Sequence, residues 1–157
     1  MKEPEILNNP MPEGFQVLGF KTPPKARKDP TVQYEKSMRI KVPGGGGDPW
    51  AVGINIPIRA AVKKGDNISI MYWARLETPE PGKTTARIAS AQVQLAAAPY
   101  TQLFSAPADV GPEWKLFQAK GKAEKDYAAN ILATSLHLNT GKHVIDIGPI
   151  AVLNYGQ

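Results

Sequence analysis

The stretch Asn67-Ile68-Ser69-Ile70-Met71-Tyr72-Trp73-Ala74-Arg75-Leu76 carries the architecture in small. Ile68, Ile70, Tyr72, Ala74 and Leu76 occupy every second position, with Ser69, Met71, Trp73 and Arg75 between them. Successive side chains of an extended chain point to opposite faces, so this period of two marks a strand with one apolar face. Its isoleucines and aromatics are the residues that suit a pleated, half-buried surface.

The same period recurs on both sides. Met38, Ile40 and Val42 oppose Arg39 and Lys41, and Val52, Ile54, Ile56 and Ile58 repeat it. Val93 and Leu95 oppose Gln92 and Gln94, Leu132, Leu136 and Leu138 oppose Ala133, Ser135 and His137, and Ile150 and Val152 close the series. Turn-forming residues separate these runs at Gly44 to Gly47, Lys64-Gly65-Asp66, Pro79 to Gly82, Gly111-Pro112 and Thr140-Gly141. Many short strands at such spacing predict an all-β fold, a two-sheet antiparallel β-sandwich of the jelly-roll kind. Only Ala123 to Ala133 has helix-favouring composition, and it lacks the apolar stripe of a packed helix, which makes a helical turn there the lesser expectation. The proline-rich first thirty-odd residues read as a strand or two along the sandwich edge. With no repeat and no linker, residues 1–157 read as a single domain.

Composition narrows the function classes. The 157 residues are 42% hydrophobic, which suits a packed core. There is no cysteine, so disulfide scaffolds and thiolate metal sites are excluded. The net charge of +5 is spread along the chain without a concentrated stripe, so a nucleic-acid partner is not expected. No apolar run approaches bilayer length, and no membrane partner is expected.

Catalytic motifs are missing. The two histidines, His137 and His143, sit in no nucleophile motif, and the carboxylates fall mostly in turns and termini. Gly44 to Gly47 lacks the Lys-Ser/Thr and helix that a phosphate loop requires, and reads as a loop tip. What remains is a polar strand face with Ser90, Gln92, Gln94, Ser135 and His137, bordered by loop aromatics. Aromatic rings stack on the C–H face of a sugar, and amides and hydroxyls bond its hydroxyl groups. Solvated β-faces carry such residues routinely, so this signal alone is moderate.

A resemblance strengthens it. Asn9-Pro10-Met11-Pro12-Glu13-Gly14, Ser37 to Val42, Gly65-Asp66 with Tyr72-Trp73-Ala74-Arg75, Ala98-Pro99-Tyr100-Thr101 and Glu113-Trp114-Lys115 occur in order. Together they resemble the galactose-binding-like β-sandwich of carbohydrate-binding modules of families four, nine and twenty-two, over Asn9 to about Asn154. Pro12 stands where that group usually has Phe. The resemblance implies that Tyr100 and Trp50 stack on sugar and that Gln92, Gln94 and His137 line the cleft. It also implies a structural calcium held by Glu13 and an acid near the last strand. There, however, Ile147-Gly148-Pro149-Ile150 replaces the usual I-D-D-V, so Asp146 would serve only with a shifted register.

Trp73 and Arg75 complete the candidate set. By parity Trp73 lies either on the cleft floor or under a covering loop, and Arg75 either grips a uronate or closes a salt bridge. Trp114 and Tyr127 read as packing residues. The expected function is a non-catalytic module that binds a polysaccharide or oligosaccharide, as a monomer or as part of a larger glycan-active enzyme. Its expected location is extracellular or periplasmic. An accessory sandwich without a sugar site and a jelly-roll lyase or hydrolase are the rival readings. The positive charge mildly favours an acidic polysaccharide, with neutral β-glucans and xylans also open.

Overall fold

Hydrogen-bonded pairing sorts the short strands into two antiparallel sheets. The computed structural model describes residues 3–157. Eleven strands follow in order among these residues: β1 (Glu5–Ile6), β2 (Gln16–Leu18), β3 (Arg27–Lys28), β4 (Lys36–Pro43), β5 (Gly53–Pro57), β6 (Asn67–Thr78), β7 (Ala86–Leu95), β8 (Gln102–Val110), β9 (Lys115–Lys122), β10 (Leu132–His137) and β11 (Lys142–Asn154). One sheet runs β3-β4-β11-β6-β9, with β1 also paired to β11, and the other runs β2-β5-β10-β7-β8. Three 3-10 turns, at Pro12–Gly14, Gln33–Glu35 and Pro49–Ala51, complete the regular structure. The stretch from Ala123 to Ala133 contains no helix.

The apolar face of each strand turns inward as its alternation dictates. Ile40, Ile54, Ile70, Ile88, Leu136, Ile145, Ile147, Ile150 and Val152 are all buried between the sheets. Tyr72 is buried with them and stacks on Phe117, with ring centroids 5.6 Å apart. Burial pushes its phenol well above the ordinary tyrosine range. In β11 the register shifts between Ile147 and Ile150, so Gly148-Pro149 forms a bulge, a setting that tolerates proline within a sheet.

This bulge explains where Trp73 goes. A Cβ on Gly148 would stand 2.9 Å from both Trp73 Cβ and Val32 Cγ2, so only glycine lets the tryptophan and the 29–35 loop close over it. The indole N–H of Trp73 donates to Gln33 Oε1 at 2.9 Å, and that of Trp114 donates to Thr31 Oγ1 at 2.8 Å. The guanidinium of Arg75 lies 5.2 Å from the Trp114 ring. Trp73 therefore sits under a loop on the outside of the six-stranded sheet.

Asp146 anchors the same outer face. Its carboxylate accepts from Arg39 Nε and Nη2 at 2.9 and 3.0 Å and from Arg75 Nε at 3.0 Å. Both arginines are its cross-strand neighbours, Arg39 on β4 and Arg75 on β6. Arg75 reaches Asp29 and Glu77 as well, each at 3.8 Å. Asp29 is buried, which raises its pKa, but hydrogen bonds from Thr31 and the charge of Arg75 outweigh this and hold it below the usual carboxylate range.

Candidate functional site

The outward face of the five-stranded sheet is built as three rows that the register aligns across the strands. The middle row takes one side chain from each strand: Gln16, Asn55, Ser135, Gln92 and Ser105. On one side of it lies Leu18-Gly53-His137-Ser90, and on the other Pro57-Ala133-Gln94-Gln102. Gly53 keeps this floor low, because a Cβ there would meet the Leu136 carbonyl oxygen at 2.3 Å. Strands spaced about 4.8 Å apart make the middle row about 19 Å long, and the outer rows stand about 13 Å apart along the strands.

An aromatic residue stands on each rim. Trp50, in the 3-10 turn of the β4–β5 connection, is 59% exposed, and its ring meets the His137 ring edge-on at 6.2 Å. Tyr100, between β7 and β8, is 54% exposed and has a φ of 56°. The left-handed region is uncommon for a bulky residue and concentrates at ligand sites. Its N–H donates to the Ala97 carbonyl at 2.9 Å, which closes the turn that carries the ring. Together the rims and the Gln16, Asn55, Ser135, Gln92, His137 and Gln94 part of these rows line an open groove of about 630 Å³.

The floor holds two hydrogen-bonded sets of amides. Ser90 Oγ donates to Gln92 Oε1 at 2.7 Å, and Gln92 Nε2 donates in turn to Gln94 Oε1. Gln92 is 3% exposed, so this chain fixes the direction of its dipole. Asn55 Nδ2 donates to Gln16 Oε1 at 2.9 Å. No lysine, arginine, aspartate or glutamate is among the described residues that line the groove. Burial pushes His137 below the ordinary histidine range, which keeps the ring neutral near neutral pH.

Of the residues singled out from the sequence, Trp50, Tyr100, Gln92, Gln94 and His137 line this one groove. Trp73 and Arg75 do not. They belong to β6 of the other sheet, with Trp73 under the 29–35 loop and Arg75 in the ion-pair network, so both leave the candidate set. The sequence reading passed over Gln16, Asn55 and Gln102. Asn55 had a visible signal, a polar residue alternating with Ile54 and Ile56, whereas Gln16 lies in the irregular first segment.

The expected calcium ligands do not fit a metal. Both oxygens of Asp146 are engaged by guanidinium groups, which take up three of the carboxylate's roughly four acceptor positions and set two positive charges beside it. The position that should carry the ligating aspartate is Gly148, pressed beneath Trp73 and Val32. Glu13 is an exposed residue of the Pro12–Gly14 turn. Among the described residues no three or more His, Asp or Glu side chains gather as a metal site.

Asn139 positions the Trp50 rim. Its Nδ2 donates to the Gly46 and Asp48 carbonyls at 3.2 and 3.0 Å, and its backbone N–H donates to the Pro49 carbonyl at 3.1 Å. Four consecutive glycines, Gly44 to Gly47, all have positive φ just before this point, so the loop has little stiffness of its own. Asn139→Ala should weaken binding of a neutral glycan by roughly threefold, since the rim must then be ordered on binding. Asn139→Asp, which keeps the size but loses the donor, should show the same loss in a calorimetric titration.

The buried histidines also set a pH dependence. Burial lowers His137, and burial lowers His143 against an opposing pull from Glu80. Unfolded histidines, with pKa about 6.5, then take up protons before the folded ones do. The stability they confer is whole above that pH and is lost as the pH falls toward their folded values. Asp29 and Asp66, both held below the ordinary 3.8, act only at lower pH. The unfolding midpoint should therefore drop as the pH falls below about 6.5, and His143→Gln should flatten that drop.

The fold is that of carbohydrate-binding modules of families 4 and 22. The chain superimposes on the second N-terminal cellulose-binding domain of Cellulomonas fimi β-1,4-glucanase C with a TM-score of 0.68 and 14% identity, covering 100% of this chain and 99% of that one. It matches the CBM22-1 xylan-binding domain of Paenibacillus barcinonensis Xyn10C with a TM-score of 0.65 and 14% identity, covering 100% and 99%. It also matches the CBM22-1–GH10 modules of the Clostridium thermocellum xylanase 10B complexed with xylohexaose, with a TM-score of 0.65 and 14% identity, covering 100% of this chain and 29% of that one. No protein-family profile matches the sequence, and no curated protein matches it.

Proposed function

We propose that this protein is a non-catalytic module that binds a neutral polysaccharide chain across its five-stranded sheet. The observation that carries this reading is an amide-floored groove with one exposed aromatic ring on each rim and no formal charge in its lining. Trp50 and Tyr100 stack on sugar rings, while Gln92, Gln94, Asn55, Gln16 and His137 bond to hydroxyl groups. The basic surface lies elsewhere, so the groove itself favours β-glucan or xylan over an acidic polymer. Glycoside hydrolysis needs two facing carboxylates, and none lines the groove among the described residues, which speaks against the hydrolase alternative.

The middle row gives a length. About 19 Å of floor accommodates roughly four sugar units, each about as long as one strand spacing. Ring contacts of about 1 kcal/mol each place the affinity between micromolar and millimolar. Such a module, joined to a glycan-active enzyme outside the cell, raises that enzyme's local concentration on its substrate. Calorimetric titration with neutral oligosaccharides of increasing length tests the reading. Affinity should climb up to about four units and then level off; equal affinity for a disaccharide and a hexasaccharide, or none for either, would overturn it.

A further inference from the structure

The residues that give the net charge of +5 lie outside the groove lining. Every ion pair among the described residues uses an arginine, so no described lysine is in one. Two lysines, Lys120 and Lys122, project from β9 on the outer face of the six-stranded sheet, directly opposite Ser69 and Asn67 of β6. On the other side of β6, Leu153 of β11 faces Ser69. Tyr155, itself 45% exposed, continues that edge, with its N–H donating to the Asn67 carbonyl at 2.9 Å.

The outcome is a trough of about 390 Å³ with a lysine wall, a tyrosine wall and a small polar floor. The walls stand on β9 and on the residue that follows β11, two strand spacings or about 10 Å apart. Gln118 Nε2 donates to Ser69 Oγ at 2.8 Å, which ties two residues of the floor together. That width suits a single pyranose ring lying against the tyrosine, with a substituent reaching the opposite wall.

We propose that this trough is a second glycan site, selective for a polysaccharide that carries uronic acid carboxylates. Tyr155 stacks on the C–H face of the uronate ring, and the ammonium groups of Lys120 and Lys122 take its carboxylate. Two lysines beside one ring are too few for a phosphate backbone, which demands an extended basic track. The site is independent of the groove: it lies on the other sheet and reads charge where the groove reads hydroxyl groups.

Native affinity electrophoresis at low salt tests this with three gel additives, polygalacturonate, hydroxyethyl cellulose and poly-L-glutamate. Polygalacturonate should retard the wild-type chain, and Tyr155→Ala and the Lys120→Ala/Lys122→Ala pair should each lower that affinity by about fivefold or more. Trp50→Ala should leave polygalacturonate retention intact, whereas retention on hydroxyethyl cellulose should follow Trp50 and ignore Tyr155. Unaltered retention in the Tyr155 variant, equal retardation by poly-L-glutamate, or no retardation by polygalacturonate would each overturn the second site. The neutral gel reports on the groove separately. All four altered side chains are exposed, and the unfolding midpoint of each variant checks that it remains folded.

Discussion

Trp50→Ala should lower affinity for a neutral β-glucan or xylan chain by about five- to tenfold, and Trp50→Ala/Tyr100→Ala should abolish retention on such polymers. The size follows from what the ring does. Trp50 is 59% exposed and touches the fold mainly through its edge contact with His137, so the large apolar surface it offers is available to a ligand. For the same reason its loss should cost little stability, within about 0.5 kcal/mol, as for other surface substitutions. A variant that loses binding while its unfolding midpoint stays put separates a ligand contact from a structural one. Affinity electrophoresis in hydroxyethyl cellulose or xylan, paired with thermal unfolding, reads both. No retardation of the wild type would leave the accessory, non-binding reading as the better one, and an unchanged shift in the double variant would place the sugar site outside this groove.

Asp146→Ala should produce the opposite pattern, a large loss of stability with glycan affinity per folded molecule preserved. Asp146 is 0% exposed and satisfies two guanidinium groups that are themselves partly buried. Removing one partner of a buried ion pair leaves uncompensated charge and costs about 3–5 kcal/mol; partial exposure of both arginines places this case near 3 kcal/mol. For a domain of this size that lowers the unfolding midpoint by roughly 6–12 °C. Asp146→Asn, which keeps an acceptor, should fall between wild type and alanine. Were Asp146 instead a calcium ligand, chelator would reproduce the alanine phenotype in the wild-type protein. Here the arginines hold the carboxylate, and chelator should leave the midpoint unchanged.

The two substitutions also mark how far residue order alone could reach. Period-two alternation identified which side chains leave each strand outward, and Gln92, Gln94, His137, Trp73 and Arg75 all do so. It carries no information on which sheet a strand joins. β6 pairs with β11 and β9, whereas β7 pairs with β10 and β8, and these long-range choices send Trp73 and Gln92 to opposite sides of the sandwich. Asn55 was legible by parity and needed only the β5–β10 register to fall beside Ser135. Gln16 and Gln102 were not, because β2 is three residues long and the register shift at the start of β8 separates Gln102 from the alternation that runs from Phe104 to Val110. An acid inside the apolar run Val144-Ile145-Asp146-Ile147 signals a buried charge, but only the register shows that Arg39 and Arg75 flank it. The loop aromatics were the easiest to find, since Trp50 beside a glycine run and Tyr100 beside Ala98-Pro99 have no strand face to fill.

Proton–nitrogen correlation spectra of the 15N-labelled protein, recorded during titration with a neutral xylan or β-glucan hexasaccharide, give the most direct test. Binding across the five-stranded sheet predicts that the Trp50 indole and the side-chain amides of Gln92, Gln94 and Asn55 shift together along one saturation curve. The indoles of Trp73 and Trp114, bonded to Gln33 and Thr31 on the far sheet, should remain still. Shifts confined to that far sheet, or a spectrum unmoved at millimolar glycan, would contradict it.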